Sequence, residues 1–242
     1  RAHEIALTAA EEQPDDWNVF KVQSVVHQKI GNAALVQGNV EEAYPALLES
    51  LSLMEQIPRE QWDGSNYKRN ETIVRLHIGK ALLAMGRLAD AEDEFNRALE
   101  AALEIDDVGD ESSKAHHSVA MALEAIGDIH LTNHRWEQAL TTFNEMRRRL
   151  ELVLEFDRLD AEARRHLALA IDKIGDTHRR MDDFSSALKA YEDAFNIKRN
   201  LADADDSDYM LQRDLSISHN KIGECHEARG EHDAAAAELE VA

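Results

Sequence analysis

Several residue types are scarce in this chain, and each scarcity excludes a class of protein. The 242 residues include one cysteine, three prolines and ten glycines, and aromatic residues make up 5%. A single cysteine cannot form a disulfide within the chain, so nothing calls for an oxidising compartment and we expect a cytoplasmic protein. Few prolines and glycines, together with 43% hydrophobic residues, favour a folded helical protein over a disordered one.

Long apolar runs and an excess of positive charge are also missing. No segment approaches the roughly 20 apolar residues that span a bilayer, and the first ten residues lack the apolar stretch of a signal peptide. The chain has 48 acidic and 27 basic residues, a formal charge of -21. This charge disfavours nucleic acid and anionic membranes as partners and favours a basic protein or peptide. An ordinary solvated acidic surface would have the same composition.

The sequence does contain a regular repeat. An Ile-Gly pair recurs five times at a step of 48 residues, from Gly31 to Gly79 and onward, without an insertion. Such regularity indicates copies of one supersecondary unit that share a continuous core. A basic residue or histidine lies ten positions before each glycine, and an alanine lies twelve positions after it; the alanines are Ala43, Ala91, Ala139, Ala187 and Ala235.

Within each unit the apolar residues have helical spacing, as in Ile73, Leu76 and Ile78. Strand-like alternation is not sustained anywhere, so the chain is predicted to be all-α. Acidic and serine residues are predicted to cap the first helix of each unit: Asp15 or Asp16, Asp63 or Ser65, Asp110, Asp160, and Ser207 or Asp208. Residues 106–110 and 203–208 are predicted loops. We predict one repeat domain over 1–242, with a partial helix at 1–12 and repeats near 15–62, 63–110, 111–158, 159–206 and 207–242.

The residues around Gly127 resemble the tetratricopeptide repeat family. The spacing W-x2-L-G-x2-Y followed by A-x3-F is similar to that of Leu123, Ile126, Gly127, His130, Ala139 and Phe143. The resemblance implies an α-solenoid of stacked antiparallel helical hairpins, a superhelix with the first helices on its concave face. It also implies a scaffold for protein–protein interaction that is not an enzyme.

The repeat departs from the family in length. A period of 48 residues exceeds the usual 34, and the proline that usually ends the second helix is missing. Both helices are therefore predicted to reach about 20 residues, except that Pro45 should kink its helix or delay its start. The array is similar to 48-residue arrays of large bacterial multidomain proteins with signalling or defence modules. Because both ends fall inside a repeat, we expect a fragment of a longer protein.

Residues that suggest chemistry have structural explanations here. His130 and His134 stand four apart, as in some metal sites, but His130, His178 and His226 share one repeat column. Cys225 and His226 are adjacent, and adjacent helical residues point in different directions. Nucleophile-elbow, phosphate-loop and dinucleotide motifs do not occur. The sequence therefore predicts no catalytic residue, no metal site and no cofactor.

The resemblance also assigns a partner-binding groove to two columns of the first helices, three residues before and one after each glycine. Acidic side chains dominate these columns in the last three units, which suggests a basic peptide or protein partner. Alternatively, these acidic side chains form an ordinary solvated face. The alternative function is an architectural spacer, oligomerisation arm or sensor arm of a larger signalling or defence enzyme. The chain could also form a homo-oligomer. The candidate residues are Gln28, Asn32, Leu76, Lys80, Glu124, Asp128, Asp172, Asp176, Asn220 and Glu224.

Overall fold

The computed structural model describes residues 16–62, 64–106, 112–204 and 209–241. Those residues contain helices and turns but no strand, which confirms the all-α prediction. Among them, no helix is apolar over a stretch long enough to span a bilayer. The α-helices are α1 (Trp17–Val36), α2 (Val40–Gln56), α3 (Gly64–Ala84), α4 (Leu88–Asp106), α5 (Ser112–Thr132), α6 (Trp136–Phe156), α7 (Ala161–Arg180), α8 (Phe184–Ala204), α9 (Tyr209–Ala228) and α10 (His232–Val241), and a short 3-10 turn covers Arg59–Gln61.

The helices group into two compact units, one ending at Ala122 and the other beginning at Leu123, inside α5. In the first unit α1 packs against α2 and α3 packs against α4, and α2 joins the two pairs by contacting α3. In the second unit α7 pairs with α8 and α9 with α10, while α6 contacts α7 and α8 contacts α9. Each unit is thus a stack of helical hairpins, the architecture of an α-solenoid.

Helix lengths agree with the long-helix expectation. The helices α1 to α9 have 17 to 21 residues each, whereas α10 has 10. Both predicted loops were wrong at their first positions, because Asp106 belongs to α4 and Asp203 and Ala204 belong to α8. Neither helix contains a proline or glycine, so α4 extends to Asp106 and α8 to Ala204. The partial helix predicted at 1–12 and the remaining loop positions 107–110 and 205–208 lie outside the described residues.

Two of the predicted helix caps are formed. The side chain of Asp16 accepts a hydrogen bond from the backbone N–H of Asn18 at 2.9 Å, and Asp160 accepts one from Ala163 at 2.9 Å. Such caps satisfy donors that a helix start otherwise leaves unpaired. Ser65, which was predicted as an alternative cap, lies inside α3, which begins at Gly64. The other predicted caps, Asp15, Asp63, Asp110, Ser207 and Asp208, lie outside the described residues.

The repeated glycine sets the distance between the two helices of each hairpin. A Cβ atom built on Gly79 would lie 2.2 Å from a ring carbon of Phe95, and one on Gly127 would lie 2.4 Å from Phe143. Real Cβ atoms do not approach that closely, so only glycine allows the aromatic ring to rest on the first helix. The corresponding neighbours in the remaining hairpins are Leu47, Tyr191 and Leu239.

The turn inside each hairpin also repeats. The residue seven positions after each Ile-Gly glycine has a positive φ, for example +76° at Gly86. There the N–H of Arg87 bonds to the carbonyl of Leu82 at 2.8 Å and ends the first helix. The left-handed residues are Gly38, Gly86, His134, Asp182 and Gly230.

Pro45 lies inside α2, five residues after the helix begins at Val40. The expected helix start near Asn39 is confirmed, since Asn39 occupies the N-cap position. Pro45 therefore does not delay the helix. It lies beyond the first turn, where its ring nitrogen cannot donate the intrahelical hydrogen bond.

Candidate partner-binding surface

The two groove columns belong to one face of the first helices α1, α3, α5, α7 and α9. Positions ten, six and three before the glycine and one after it are separated by four, three and four residues. Residues with this spacing lie on the same side of a helix. We call this set of four columns the first-helix face and consider it within each unit.

The structure places the ten candidate residues in different environments. Gln28, Leu76 and Asp172 are more than nine-tenths buried, so they contribute almost nothing to the outer surface of the first-helix face. Lys80, Asn220 and Glu224 are exposed. The partly exposed candidates are Asn32, Glu124, Asp128 and Asp176.

Acidic candidates in the second unit are paired with cations from a neighbouring first helix. Asp128 lies 2.6 Å from the Nζ of Lys173 on α7. Asp176 repeats this pairing with Lys221 on α9 at 2.9 Å. Each lysine follows its aspartate by 45 residues and stands two positions before the next glycine. The acidic column is therefore part of a ladder of ion pairs between hairpins, which reduces its net negative charge.

The remaining acidic candidates also have basic neighbours. Glu224 lies 3.7 Å from Arg179, and Glu124 lies 3.8 Å from the Nδ1 of His166. Burial lowers the pKa of His166. Asp172 forms an ion pair with Lys198, and both residues are buried.

Asp176 is the most firmly held of the exposed acids. It accepts a hydrogen bond from the hydroxyl of Tyr191 at 2.7 Å in addition to its contact with Lys221. The ammonium group of Lys221 also lies 5.0 Å from the centre of the Tyr191 ring. Burial and the carboxylate of Asp176 raise the pKa of Tyr191. A partner that binds Asp176 directly must therefore compete with two groups of the protein itself.

An apolar column in the middle of the first-helix face was missed by the sequence analysis. It stands six residues before each glycine, and none of its members is buried. Val25 in the first unit and Ile217 in the second are each 42% exposed. The signal was available in the repeat alignment, because every unit has an apolar residue there: Val25, Ile73, Met121, Leu169 and Ile217.

The basic column lies one turn before the apolar one. Its members are partly exposed or exposed, and Arg213 lies 3.7 Å from Asp214. Lys21 donates to the backbone carbonyl of Gln61, so this residue also supports the fold. The column comprises Lys21, Arg69, His117, Arg165 and Arg213.

Histidines and the cysteine have structural surroundings. The Nδ1 of His178 lies 3.3 Å from Asp183, and that of His226 lies 2.6 Å from Glu231, so both tie a helix end to the following turn. His134 falls beyond the end of α5 at Thr132, so the spacing from His130 is not that of one continuous helix. Cys225 is fully buried, and burial raises the pKa of its thiol. The thiol is thus a core group and not an activated nucleophile.

Comparison with known proteins finds a family model that matches part of the chain. Residues 76–151 match the family model described as tetratricopeptide repeat. No curated protein sequence matches the chain. Because the matched segment has the Gly79–Phe95 and Gly127–Phe143 contacts, the family pattern and the packing of the hairpins coincide.

Solved structures with similar folds share little sequence with the chain. BtubC (BKLC) from P. vanneervenii has a TM-score of 0.73 at 18% identity, covering 99% of this chain and 85% of that one. A kinesin light chain protein from Podosopora anserina with nearly identical TPR-like repeats has a TM-score of 0.63 at 13% identity, covering 89% and 90%. The apo form of RapI has a TM-score of 0.68 at 10% identity, covering 98% and 56%. These likenesses support the solenoid fold alone.

Proposed function

We propose that this tetratricopeptide repeat protein is a non-catalytic scaffold that binds a protein or peptide partner on its first-helix face. The observation that carries the proposal is the apolar column, which places a partly or fully exposed apolar residue at the same position of every first helix. Exposed apolar side chains bordered by charged ones are typical of the core and rim of an interface. The family and its fold support an interaction scaffold as the general class of function.

We further propose that the partner carries positive charge. The net charge of -21 attracts a basic protein over distances of about 10 Å and raises its association rate. Paired carboxylates such as Asp128 contribute little to contact energy, because a partner must displace their lysines. We therefore expect charge to govern the rate of association and the apolar column to govern the lifetime of the complex.

Two sets of aspartate substitutions test the surface. Val25→Asp with Ile217→Asp alters the apolar column in both units. Leu48→Asp with Leu103→Asp is the matched control, because these residues lie on second helices and are 41% and 40% exposed, against 42% for the test residues. A partner captured by the immobilised chain and identified by mass spectrometry is titrated against both variants.

We expect the first variant to weaken binding at least tenfold and the control to leave the affinity unchanged. Circular dichroism checks that both variants keep their helix content. Equal affinity in both variants would place the binding surface elsewhere. An association rate that does not fall as salt is added would contradict the positive charge proposed for the partner.

A further inference from the structure

A cavity of about 280 Å³ lies in the second unit between α7, α8 and α9. Its walls include the apolar side chains of Leu169, Leu201, Leu211 and Ile217. Leu169 and Ile217 belong to the apolar column, so the cavity opens on the first-helix face. Its size is close to the lower bound of about 300 Å³ for small-molecule sites.

A buried ion pair also lines this cavity. Lys198 on α8 and Asp172 on α7 are 8% and 7% exposed, and the ammonium group of Lys198 donates to the Oδ2 of Asp172. Lys198 also donates to the hydroxyl of Ser218 on α9 at 2.9 Å. The three side chains link the three helices that enclose the cavity.

The other repeats show that the fold does not need this pair. The position of Lys198, which is 23 residues after the glycine, is occupied by Met54, Ala102 and Leu150 in the preceding repeats, all fully buried. Burying two charges removes their hydration, and apolar residues at such sites are often equally or more stabilising. A polar group placed where the repeat pattern requires an apolar one is a common sign of a functional site.

One atom of the pair lacks a protein partner. The Oδ1 of Asp172 accepts no hydrogen bond from the described part of the chain, although this oxygen is buried. An unsatisfied buried acceptor is costly. Lys198 makes two contacts in the same part of the chain, while an ammonium group has three N–H donors. The cavity therefore presents an acceptor and a donor next to each other.

We propose that this cavity binds the phenol group of a tyrosine side chain from the partner protein. A phenolic hydroxyl can donate to the Oδ1 of Asp172 and accept from the Nζ of Lys198, and the ring fits the leucine-lined walls. A neutral group suits the site, since Asp172 and Lys198 already neutralise each other. The source of the tyrosine rests on the proposed scaffold function, whereas the phenol specificity rests on the cavity alone.

The test uses p-cresol, the side-chain analogue of tyrosine, and toluene, which lacks only the hydroxyl. Binding to the whole chain is followed by NMR of leucine and isoleucine methyl groups. We expect p-cresol to shift the methyl signals of Leu169, Leu201 and Leu211 and to bind roughly 10 to 100 times more tightly than toluene, the ratio expected for a hydrogen bond to charged groups. N-acetyl-tyrosinamide and N-acetyl-phenylalaninamide extend the comparison to a peptide-borne side chain.

The matched variant carries Asp172→Leu and Lys198→Met, the residues found at these columns in Leu76 and Met54. It keeps the branching of the side chain at position 172 and nearly the length of the side chain at position 198, and it should lose the preference for p-cresol over toluene. Three results would overturn the proposal. They are a preference for p-cresol that persists in this variant, equal binding of toluene and p-cresol to the unmodified chain, and NMR shifts confined to other methyl groups. Binding of p-cresol without N-acetyl-tyrosinamide would reject the tyrosine side chain as the ligand. None of these measurements needs the partner, so they stand apart from the Val25 and Ile217 test.

Discussion

Replacing Lys198 by methionine removes one half of a buried ion pair and should destabilise the second unit strongly. The carboxyl group of Asp172 would be left at a site that is 7% exposed, with no ammonium group to compensate it. Breaking such a pair typically costs about 3–5 kcal/mol. Because the total stability of a domain is about 5–15 kcal/mol, the single variant should lose a large fraction of the stability of its unit.

Adding Asp172→Leu to Lys198→Met should restore most of that loss. The double variant has apolar residues at both columns, as the second repeat does with Leu76 and Ala102, so neither charge is left unpaired in the core. We expect its free energy of unfolding to lie within about 1 kcal/mol of the unmodified chain or above it, which makes the two substitutions strongly non-additive.

Urea unfolding followed by circular dichroism at pH 7 measures the total stability of the unmodified chain, the two single variants Lys198→Met and Asp172→Leu, and the double variant. Hydrogen exchange of α7, α8 and α9 is needed as well, because repeat arrays can unfold unit by unit. If the single variants cost no more than the double, or if their effects are additive, the pair is not buried and coupled as the structure shows.

Three further changes test other parts of the fold. Gly127→Ala should lower the free energy of unfolding by about 1–3 kcal/mol, because its Cβ would lie 2.4 Å from Phe143. Gly223→Ala should be nearly neutral in the same urea unfolding experiment, because its Cβ would lie 3.1 Å from Leu239, a leucine that is exposed to solvent. Equal losses in the two variants would contradict this packing. Pro45→Ala should raise the melting temperature, since a proline beyond the first turn removes a helix hydrogen bond; a lower value would mean that Pro45 fixes a required bend. Burial and the charges of two nearby lysines lower the pKa of His77 to about 4. The unfolded chain takes up this proton near pH 6.5 and the folded chain only near 4, so the free energy of unfolding should fall by about 2 kcal/mol as the pH falls between these values. His77→Gln should abolish that part of the loss in pH-dependent unfolding. An unchanged pH dependence would refute the assignment.

The fold could be predicted from the sequence because each structural role recurs in the same column. The glycine of the Ile-Gly pair and the residue sixteen positions later meet in every hairpin, as Gly79 and Phe95 do. Local signals also sufficed for the caps at Asp16 and Asp160. The loop boundaries at Asp106 and Asp203 were misjudged because an acidic residue does not by itself end a helix, and both residues lie within helices.

The candidate site was harder to predict, because the spacing along one helix does not reveal what the neighbouring helix covers. Leu76 and Asp172 share a column with the exposed Asn220, yet both are buried. Likewise, the lysines that pair with Asp128 and Asp176 are 45 residues away. Their pairing can be predicted only if the aspartate column of one repeat is compared with the lysine column of the next. Burial and pairing between hairpins depend on side chains from three helices at once.

We expect the paired surface charges and the apolar cavity to have different effects on partner binding. Ion pairs such as Asp128–Lys173 are partly exposed and link successive first helices, and each contributes little free energy. A partner that replaces one of them therefore gains little. The half-exposed Ile217 and the cavity beneath it offer apolar area and an unsatisfied acceptor, and a partner gains free energy from both. Specificity should therefore depend on the cavity in the second unit, while the acidic surface mainly sets how fast a basic partner arrives. A partner variant with tyrosine replaced by phenylalanine should accordingly dissociate faster with an unchanged association rate.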